Sequence, residues 1–171
     1  MSKGLPRSMS RGSALRQAVK KISLKIDHQV SVTAAGAAVG FGTVIVGGLP
    51  QSYLKIMSVA TQIQFRGPTT ANLDDNWDGD FSFGSAPTAD VTLAGAEVDL
   101  ISSTAIGAAT AELSPVVTVA DGVDLVIDNT DGSLEINLNL LVDAANIVDG
   151  STVIIRARGV IEVVLVTMLD D

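Results

Sequence analysis

The chain has 171 residues; 47% are hydrophobic, only 4% are aromatic, and none is cysteine. This length suffices for one domain with a core, which must be mainly aliphatic. The lack of cysteine excludes disulfides, thiol nucleophiles and thiolate metal sites. The net charge of −8 is unevenly spread, because residues 1–26 carry seven basic and no acidic residues while residues 27–171 carry four basic and nineteen acidic ones. This split predicts a basic arm on an acidic body.

Residues 1–21 form the predicted N-terminal arm. Its opening segment, MSKGLPRSMSRGS, is rich in glycine, serine and charge and cannot form a core of its own. Residues 14–22, ALRQAVKKI, have apolar side chains at helical spacing, which predicts a short amphipathic helix capped by Ser13, with a basic face. The arm residues expected to bind a partner are Lys3, Arg7, Arg11, Arg16, Lys20 and Lys21.

The body, residues 22–171, is predicted to be all β. From Ile22 to Thr33, apolar and polar residues alternate strictly, which is typical of a half-buried strand. A second strand is predicted over residues 38–46 and a third over residues 53–65. The third strand should bury Met57, Val59, Ile63 and Phe65 on one side.

The uncharged stretch from Gln29 to Leu54 raises the alternative of a membrane span. Its five glycines and the strand-like alternation at its start argue against a spanning helix. We therefore expect no membrane partner.

Short strands are expected next, in the segments FSF (81–83), DVTL (90–93), EVDLI (97–101), SPVVTVA (114–120) and VDLVI (123–127). Two longer alternating runs follow, at residues 133–142 and 151–169, and Asp-Gly pairs at 131–132 and 149–150 mark expected turns. Many short strands with regular turns predict a single jelly-roll-like β-sandwich.

Residues 160–168 of the last run are apolar on both faces, apart from Glu162. Its residues Val160, Val164 and Val166 lie opposite Ile161, Val163 and Leu165. Only one face of a strand meets the core of a two-layer sandwich, so the other needs a cover. We expect Val160, Val164 and Val166 to contact a second copy of the chain; the alternative is coverage by the protein's own loops or N-terminal helix.

The loop DDNWDGDFSFGS (74–85) resembles the start of a calcium loop. Its oxygen-bearing candidates are Asp74, Asn76, Asp78 and Asp80. The twelfth position is Ser85 instead of glutamate, and the flanks are turn-rich. A solvated Asp/Asn/Gly turn is the favoured interpretation, and we expect neither a metal nor another cofactor.

Catalysis is not expected. The only histidine, His28, lies on the apolar side of its strand, and no P-loop, nucleophile elbow or dinucleotide fingerprint is present. Sugar hydrolysis by paired aspartates is disfavoured because only Trp77 and Tyr53 could supply the usual aromatic platforms. Specific nucleic-acid binding is also not expected, because the arm lacks aromatic residues and the acidic body would repel phosphate.

Three segments resemble a known family: residues 1–24, residues 31–50 (SVTAAGAAVGFGTVIVGGLP) and residues 126–147 (VIDNTDGSLEINLNLLVDAANI). Together they are similar to the decoration, or cement, proteins of tailed-bacteriophage capsids, over most of the chain. The resemblance implies a β-rich body on the outer surface of the virion, assembled as a trimer or dimer, the trimer being favoured. It also implies that the partner is the phage major capsid protein and that no active site is carried over.

Two alternatives remain open at the level of sequence. One is another β-rich virion component, such as the base of a head fibre or a tail protein. The other is a non-viral domain that binds carbohydrate or protein. The first 25 residues, if fully extended, would span about 80–90 Å, enough to cross a subunit boundary.

Overall fold

The computed structural model describes residues 18–34, 39–67, 72–74, 76–107, 109–110, 113–143, 146–148 and 151–168. Within them the chain is almost entirely β-structure, with one turn of 3₁₀ helix at Gly95–Glu97. The strands are β1 (Ala18–Ala34), β2 (Val39–Gly48), β3 (Ser52–Arg66), β4 (Asn76–Trp77), β5 (Gly79–Gly84), β6 (Ile101–Ala105), β7 (Ala109–Thr110), β8 (Val117–Asn129), β9 (Glu135–Asp143) and β10 (Thr152–Met168). The all-β prediction is confirmed.

Eight strands form one antiparallel sheet in the order β6-β5-β9-β2-β1-β10-β3-β8, and β4 pairs with β7. The halves β8-β3-β10-β1 and β6-β5-β9-β2, here called the first and second sheets, have the strand order of a jelly roll. They join through a short β1–β2 pairing at Thr33–Phe41 and Ala34–Gly40. At the other end the edge strands approach each other, where the Ser102 amide donates to Asp121 Oδ2 at 3.5 Å. The sheet therefore nearly closes into a barrel.

The core lies between the two sheets. Phe65 of β3 and Phe81 of β5 meet across it with ring centroids 5.4 Å apart, and Phe83 packs edge-on against Phe81 at 6.1 Å. Around these rings the buried side chains are mostly valine, isoleucine and leucine. As expected from the composition, aliphatic burial supplies most of the hydrophobic stabilisation.

The predicted arm helix over residues 14–22 is wrong where the structure describes it. Residues 18–22 belong to β1, which pairs with β10 from Ala18–Thr167 through Thr33–Thr152. A helix this short is only marginally stable by itself. In β1 the backbone of these residues instead forms antiparallel ladder hydrogen bonds with β10. Residues 14–17 lie outside the described part, as do Lys3, Arg7, Arg11 and Arg16.

Two further expectations are corrected. Met57 is exposed instead of packing with Val59, because a β-bulge between Ile56 and Ser58 adds a residue and changes the side on which Met57 lies. DVTL and the start of EVDLI form no strand; both belong to residues 85–100, and β6 begins only at Ile101.

The segments SPVVTVA and VDLVI are not separate strands. Residues 117–120 of the first segment and all of the second belong to the thirteen-residue strand β8, and the Asp121-Gly122 pair continues the strand instead of turning it. The Asp131-Gly132 pair does form a turn, in which Gly132 has a φ of 72°. The Asp149-Gly150 pair lies outside the described residues.

No helix among the described residues is long and apolar enough to cross a bilayer. The stretch from Gln29 to Leu54 is divided, where it is described, between β1, β2 and β3.

Candidate interaction surface

The outer face of the first sheet, the side turned away from the core, carries the predicted self-association residues. Val160 and Val164 are half-buried there, and Val166 is 8% exposed. Val166 lies between Val19 and Lys55 in the strand register. Val160 and Val164 each have a lysine as their β1 neighbour, and lysine stems can cover apolar surface. Strand β10 is thus apolar on its inner face, whereas its outer face carries both apolar and charged side chains.

A cluster of four charged side chains occupies the middle of this face. Asp27 Oδ1 accepts from Arg156 Nε at 2.9 Å and Nη2 at 2.7 Å, and lies 3.4 Å from Arg158 Nε. Lys25 Nζ is 3.9 Å from Asp27 Oδ2. The hydrogen bond from Arg156, helped by the positive charges of Arg156, Arg158 and Lys25, lowers the pKa of Asp27 below its ordinary value of 3.8. We call Lys25, Asp27, Arg156 and Arg158 the Asp27 cluster; it has three cations and one anion.

Two more ion pairs cross the outer face. Lys21 Nζ lies 2.8 Å from Glu162 Oε1, which joins β1 to β10. Lys55 Nζ lies 2.9 Å from Asp124 Oδ1, which joins β3 to β8. Exposed ion pairs of this kind each contribute little to the stability of the fold. They do show that lysines and carboxylates alternate across this face.

Among the residues that the structure describes, basic side chains lie almost entirely on this face. Of the seven lysines and arginines in the described residues, six lie at outward positions of the first sheet: Lys21, Lys25, Lys55, Arg66, Arg156 and Arg158. Lys20 is at an inward position of β1 and is exposed. Of the arm residues predicted to bind a partner, only Lys20 and Lys21 are described, and they lie on opposite sides of the strand.

A shallow groove of about 450 Å³ adjoins the Asp27 cluster. Arg158, Val160, Gln62, Gln64 and Val116 line it, with the backbone of β3 and β10 at its base. Gln64 is held in place because its Nε2 donates to the Ser114 carbonyl at 3.0 Å. The groove therefore brings one of the predicted self-association residues next to a guanidinium group.

The outer face of the second sheet is covered at β5 and β9 by the protein itself. Residues 85–100, the cover segment, cross β5 and β9, where Asn139 makes four hydrogen bonds with no exposed surface. Its Nδ2 donates to the carbonyls of Ala86 and Glu97, both at 3.0 Å. Its Oδ1 accepts from the Thr88 amide and the Thr43 hydroxyl, both at 2.8 Å. The Ser82 hydroxyl adds a 2.7 Å bond to the Glu97 carbonyl.

Sequence reasoning missed the cover segment. The available signal was the asparagines at positions 137 and 139, which the alternation placed on a solvent face although both are buried. A buried amide needs partners, and residues 86–97 supply three of the four for Asn139. Asn137 Nδ2 donates instead to the Glu135 carbonyl of its own strand. The strands buried on both faces are therefore β5 and β9, rather than β10.

The calcium-like loop is tied by an asparagine. Asn146 accepts from the Asp78 amide at 3.3 Å and donates to the Asn76 carbonyl at 3.2 Å, while the Asp74 amide donates to the Asn146 carbonyl at 2.8 Å. Asp78 and Asp80, with Asp143, line a groove of about 340 Å³. Among the described residues, no group of three histidine, cysteine, aspartate or glutamate side chains has an arrangement that would hold a metal.

Aromatic surface is scarce on this protein. All six aromatic residues are described, and none is exposed: Trp77, Phe65, Phe81 and Phe83 are buried, and Tyr53 and Phe41 are half-buried. The single histidine, His28, is half-buried on the inward side of β1, opposite Ala157.

No protein-family model and no curated protein matches the sequence. Among solved structures, the chain is similar to infectious bursal disease virus Gx strain, at 15% identity and a TM-score of 0.35, over 87% of this chain and 33% of that chain. It is also similar to the VP2 subviral particle of that virus, at 16% identity and a TM-score of 0.34, over 87% of this chain and 33% of that chain. This chain thus spans about a third of the length of these viral chains. At such TM-scores the likeness carries no functional argument.

Proposed function

We propose that this protein is a structural component of a tailed-phage virion, a decoration protein on the outer surface of the capsid that clamps neighbouring major capsid subunits. The observation that carries the proposal is the asymmetry of the body. Residues 85–100 cover β5 and β9 of the second sheet, whereas the outer face of the first sheet leaves Val126 and Ile154 exposed and Val160 and Val164 half-buried. The first sheet also contains β1, the strand that follows the arm.

The fold leaves several uses open, because jelly rolls occur as viral capsid, lectin and cupin domains. A sugar-binding site usually needs an aromatic face on which the sugar stacks, and none of the six aromatic side chains is exposed. A histidine-based metal centre needs more than one histidine, and the chain has one. These two points disfavour the lectin and cupin uses and support a structural role.

The arm is the proposed clamp. Its basic residues precede β1, so it leaves the body at the edge of the face that carries the Asp27 cluster and the self-association residues. Repetition of one modest contact at every capsid site would give a high total affinity through multivalency. The same logic suits a homo-oligomer, in which several arms act together, and the family resemblance favours a trimer.

The deletion that tests the arm should end at residue 17 rather than at residue 21. Because β1 starts at Ala18, deletion of residues 1–17 should leave the fold intact and abolish binding to capsids that lack the protein. Deletion of residues 1–21 also removes the Lys21–Glu162 pair and four register positions with β10, so that variant should melt at a lower temperature. Cosedimentation with capsids and thermal unfolding measure the two effects. Full capsid binding by the 1–17 deletion would contradict the clamp.

A further inference from the structure

The charge of the described body is polarised. Outside β1, β3, β8 and β10 the described residues contain no lysine or arginine, but they contain nine carboxylates: Asp74, Asp78, Asp80, Asp90, Glu97, Asp99, Asp131, Glu135 and Asp143. Six of the seven described cations lie instead on the outer face of the first sheet, together with four carboxylates, Asp27, Asp124, Asp128 and Glu162, so this face has a net positive charge. Asp78 and Asp80 have no side-chain hydrogen bond or ion pair among the described residues, so their charge is available to a partner.

We infer that the outer face of the first sheet docks on the acidic, second-sheet side of another copy of this chain. The inference rests on the proposed function, in which the protein is an oligomer. It specifies which two surfaces of neighbouring copies meet. The occupant is argued from charge complementarity: the Asp27 cluster has three cations for one anion, and the same molecule presents nine carboxylates without a cation among them. Complementary potentials steer association and fix its orientation.

A contact of the basic face with itself is the less favourable arrangement. A two-fold axis through the Asp27 cluster would bring the three cations of one copy against the three of the other. Like charges brought together at an interface oppose association, especially once water is removed from around them. The contact is therefore heterologous, and assembly closes into a ring or continues as an open chain.

Both surfaces also carry apolar side chains among the charges. On the first-sheet side, Val19, Val126 and Ile154 are exposed, and Val160 and Val164 are half-buried. On the opposite side the exposed apolar residues are Ile45, Val91 and Val148. Interfaces combine such apolar contacts with a polar surround, so charge supplies orientation and these residues supply buried apolar area.

Paired charge-inverted variants of the full-length protein test the contact. The first variant, Lys25→Glu with Asp27→Arg, Arg156→Glu and Arg158→Glu, inverts the sign of the cluster while keeping oppositely charged neighbours within it. The second variant is Asp78→Lys with Asp80→Lys. Thermal unfolding checks that each is folded; Arg158→Gln replaces the first variant if that one unfolds.

Sedimentation velocity at low salt gives the outcome. Wild type should associate at about 100 μM, and each variant alone should associate at least about 100-fold more weakly. An equimolar mixture should recover association, because each variant keeps the surface that the other lacks. Salt raised from about 0.05 M to about 0.5 M should weaken the wild-type assembly.

Three results would overturn the inference: a monomeric wild type, an inverted-cluster variant that associates like wild type, or a mixture that stays dissociated. Capsid binding, measured in parallel, separates this inference from the proposed function. If the wild type joins capsids but never associates by itself, the self-contact is wrong and the decoration role stands. If it associates by itself but never joins capsids, the self-contact stands and the decoration role is wrong.

Discussion

Asp27 of β1 and Arg156 of β10 are joined by two hydrogen bonds, of 2.9 and 2.7 Å, from one guanidinium to one carboxylate oxygen. The pair connects the first and last long strands of the body across 129 residues of sequence. It lies on the outer face of the first sheet, and the side chain that holds Arg156 in place is also the only carboxylate of the Asp27 cluster. The stability of this face and its charge are therefore linked through Asp27.

Replacement of Asp27 by asparagine should change how stability depends on pH. The pKa of Asp27 is lowered in the folded protein, first by the hydrogen bond from Arg156. A carboxyl whose folded pKa is lowered stabilises the fold above its unfolded pKa, near 3.8, and that contribution is lost as pH falls through the folded value. The melting temperature of Asp27→Asn should thus be lower than that of wild type at pH 7, and the two should converge below pH 3.8.

The control for this variant is Asp124→Asn, which removes the exposed pair with Lys55. It should change the melting temperature less at neutral pH, because Asp124 makes a single contact in open solvent. A difference between Asp27→Asn and wild type that stays constant from pH 7 to pH 2 would show that the ionised carboxylate is not the cause.

Asn139 should be the most important polar residue of the second sheet. Replacement by alanine removes four hydrogen bonds and leaves the Ala86 carbonyl and the Thr88 amide without this partner. The Glu97 carbonyl still accepts from the Ser82 hydroxyl, and the Thr43 hydroxyl still donates to the Leu138 carbonyl. The expected loss is about 2–4 kcal/mol of unfolding free energy, from lost bonds and buried unsatisfied groups. The cover segment should also become sensitive to protease before the rest of the body unfolds.

Thr43→Val is the matched comparison, because it removes only one of the four bonds to Asn139. It should cost about 1 kcal/mol and leave the cover segment protected. Equal protease sensitivity in both variants would mean that Asn139 does not hold the segment in place.

Gly84 allows the cover segment to approach β5. A Cβ at this position would overlap the Ala96 carbonyl oxygen and the backbone of Glu97. Gly84→Ala should therefore destabilise the protein by about 1–3 kcal/mol, because backbone has to shift to admit one methyl group. Gly122→Ala is the control, since a Cβ there meets nothing within 4 Å and its φ is not in the left-handed region. If chemical denaturation gives equal stabilities for the two variants, residues 85–100 do not lie as close to β5 as described.

The sequence predicts the long strands better than their surroundings. Alternation located β1 beyond Ile22, β9 and β10, because each buries one apolar face against a single core. It failed at Met57, where a bulge changes the side on which the residue lies, and at the buried Asn137 and Asn139, of which Asn139 bonds the cover segment. Local patterns contain neither feature.

The candidate surface could be predicted only in part. The apolar residues Val160 and Val164 were assigned correctly to the face opposite the core-facing residues of β10. The Asp27 cluster was not predicted, because it depends on the pairing of Asp27 with Arg158 and of Gln29 with Arg156 across strands far apart in sequence. Strand register sets which charges meet, and no single strand contains that information.

Val164→Asp separates self-association from folding. Val164 is half-buried on the outer face, beside Lys21 and Ser58 in the register, so an aspartate there can remain solvated and lie next to a lysine. The variant should fold with a small change in melting temperature and lose self-association in sedimentation. Val163→Asp is the matched variant one residue away; its side chain is fully buried, and burial of an unpaired charge should prevent folding.

An unfolded Val164→Asp would place that side chain in the core and contradict the assignment of the outer face. A folded variant that associates like wild type would instead remove Val164 from the contact while leaving the fold unchanged.

The central claim is that this chain is a repeated structural part of a phage capsid, and the most direct test is its copy number in intact particles. Quantitative mass spectrometry of gradient-purified virions of any phage whose genome encodes this chain, with labelled peptides of this chain and of the major capsid protein, gives that number. A decoration role predicts many copies, in a constant small-integer ratio to the major capsid protein, in every preparation. Absence from the particles, or only a few copies per particle, would contradict it.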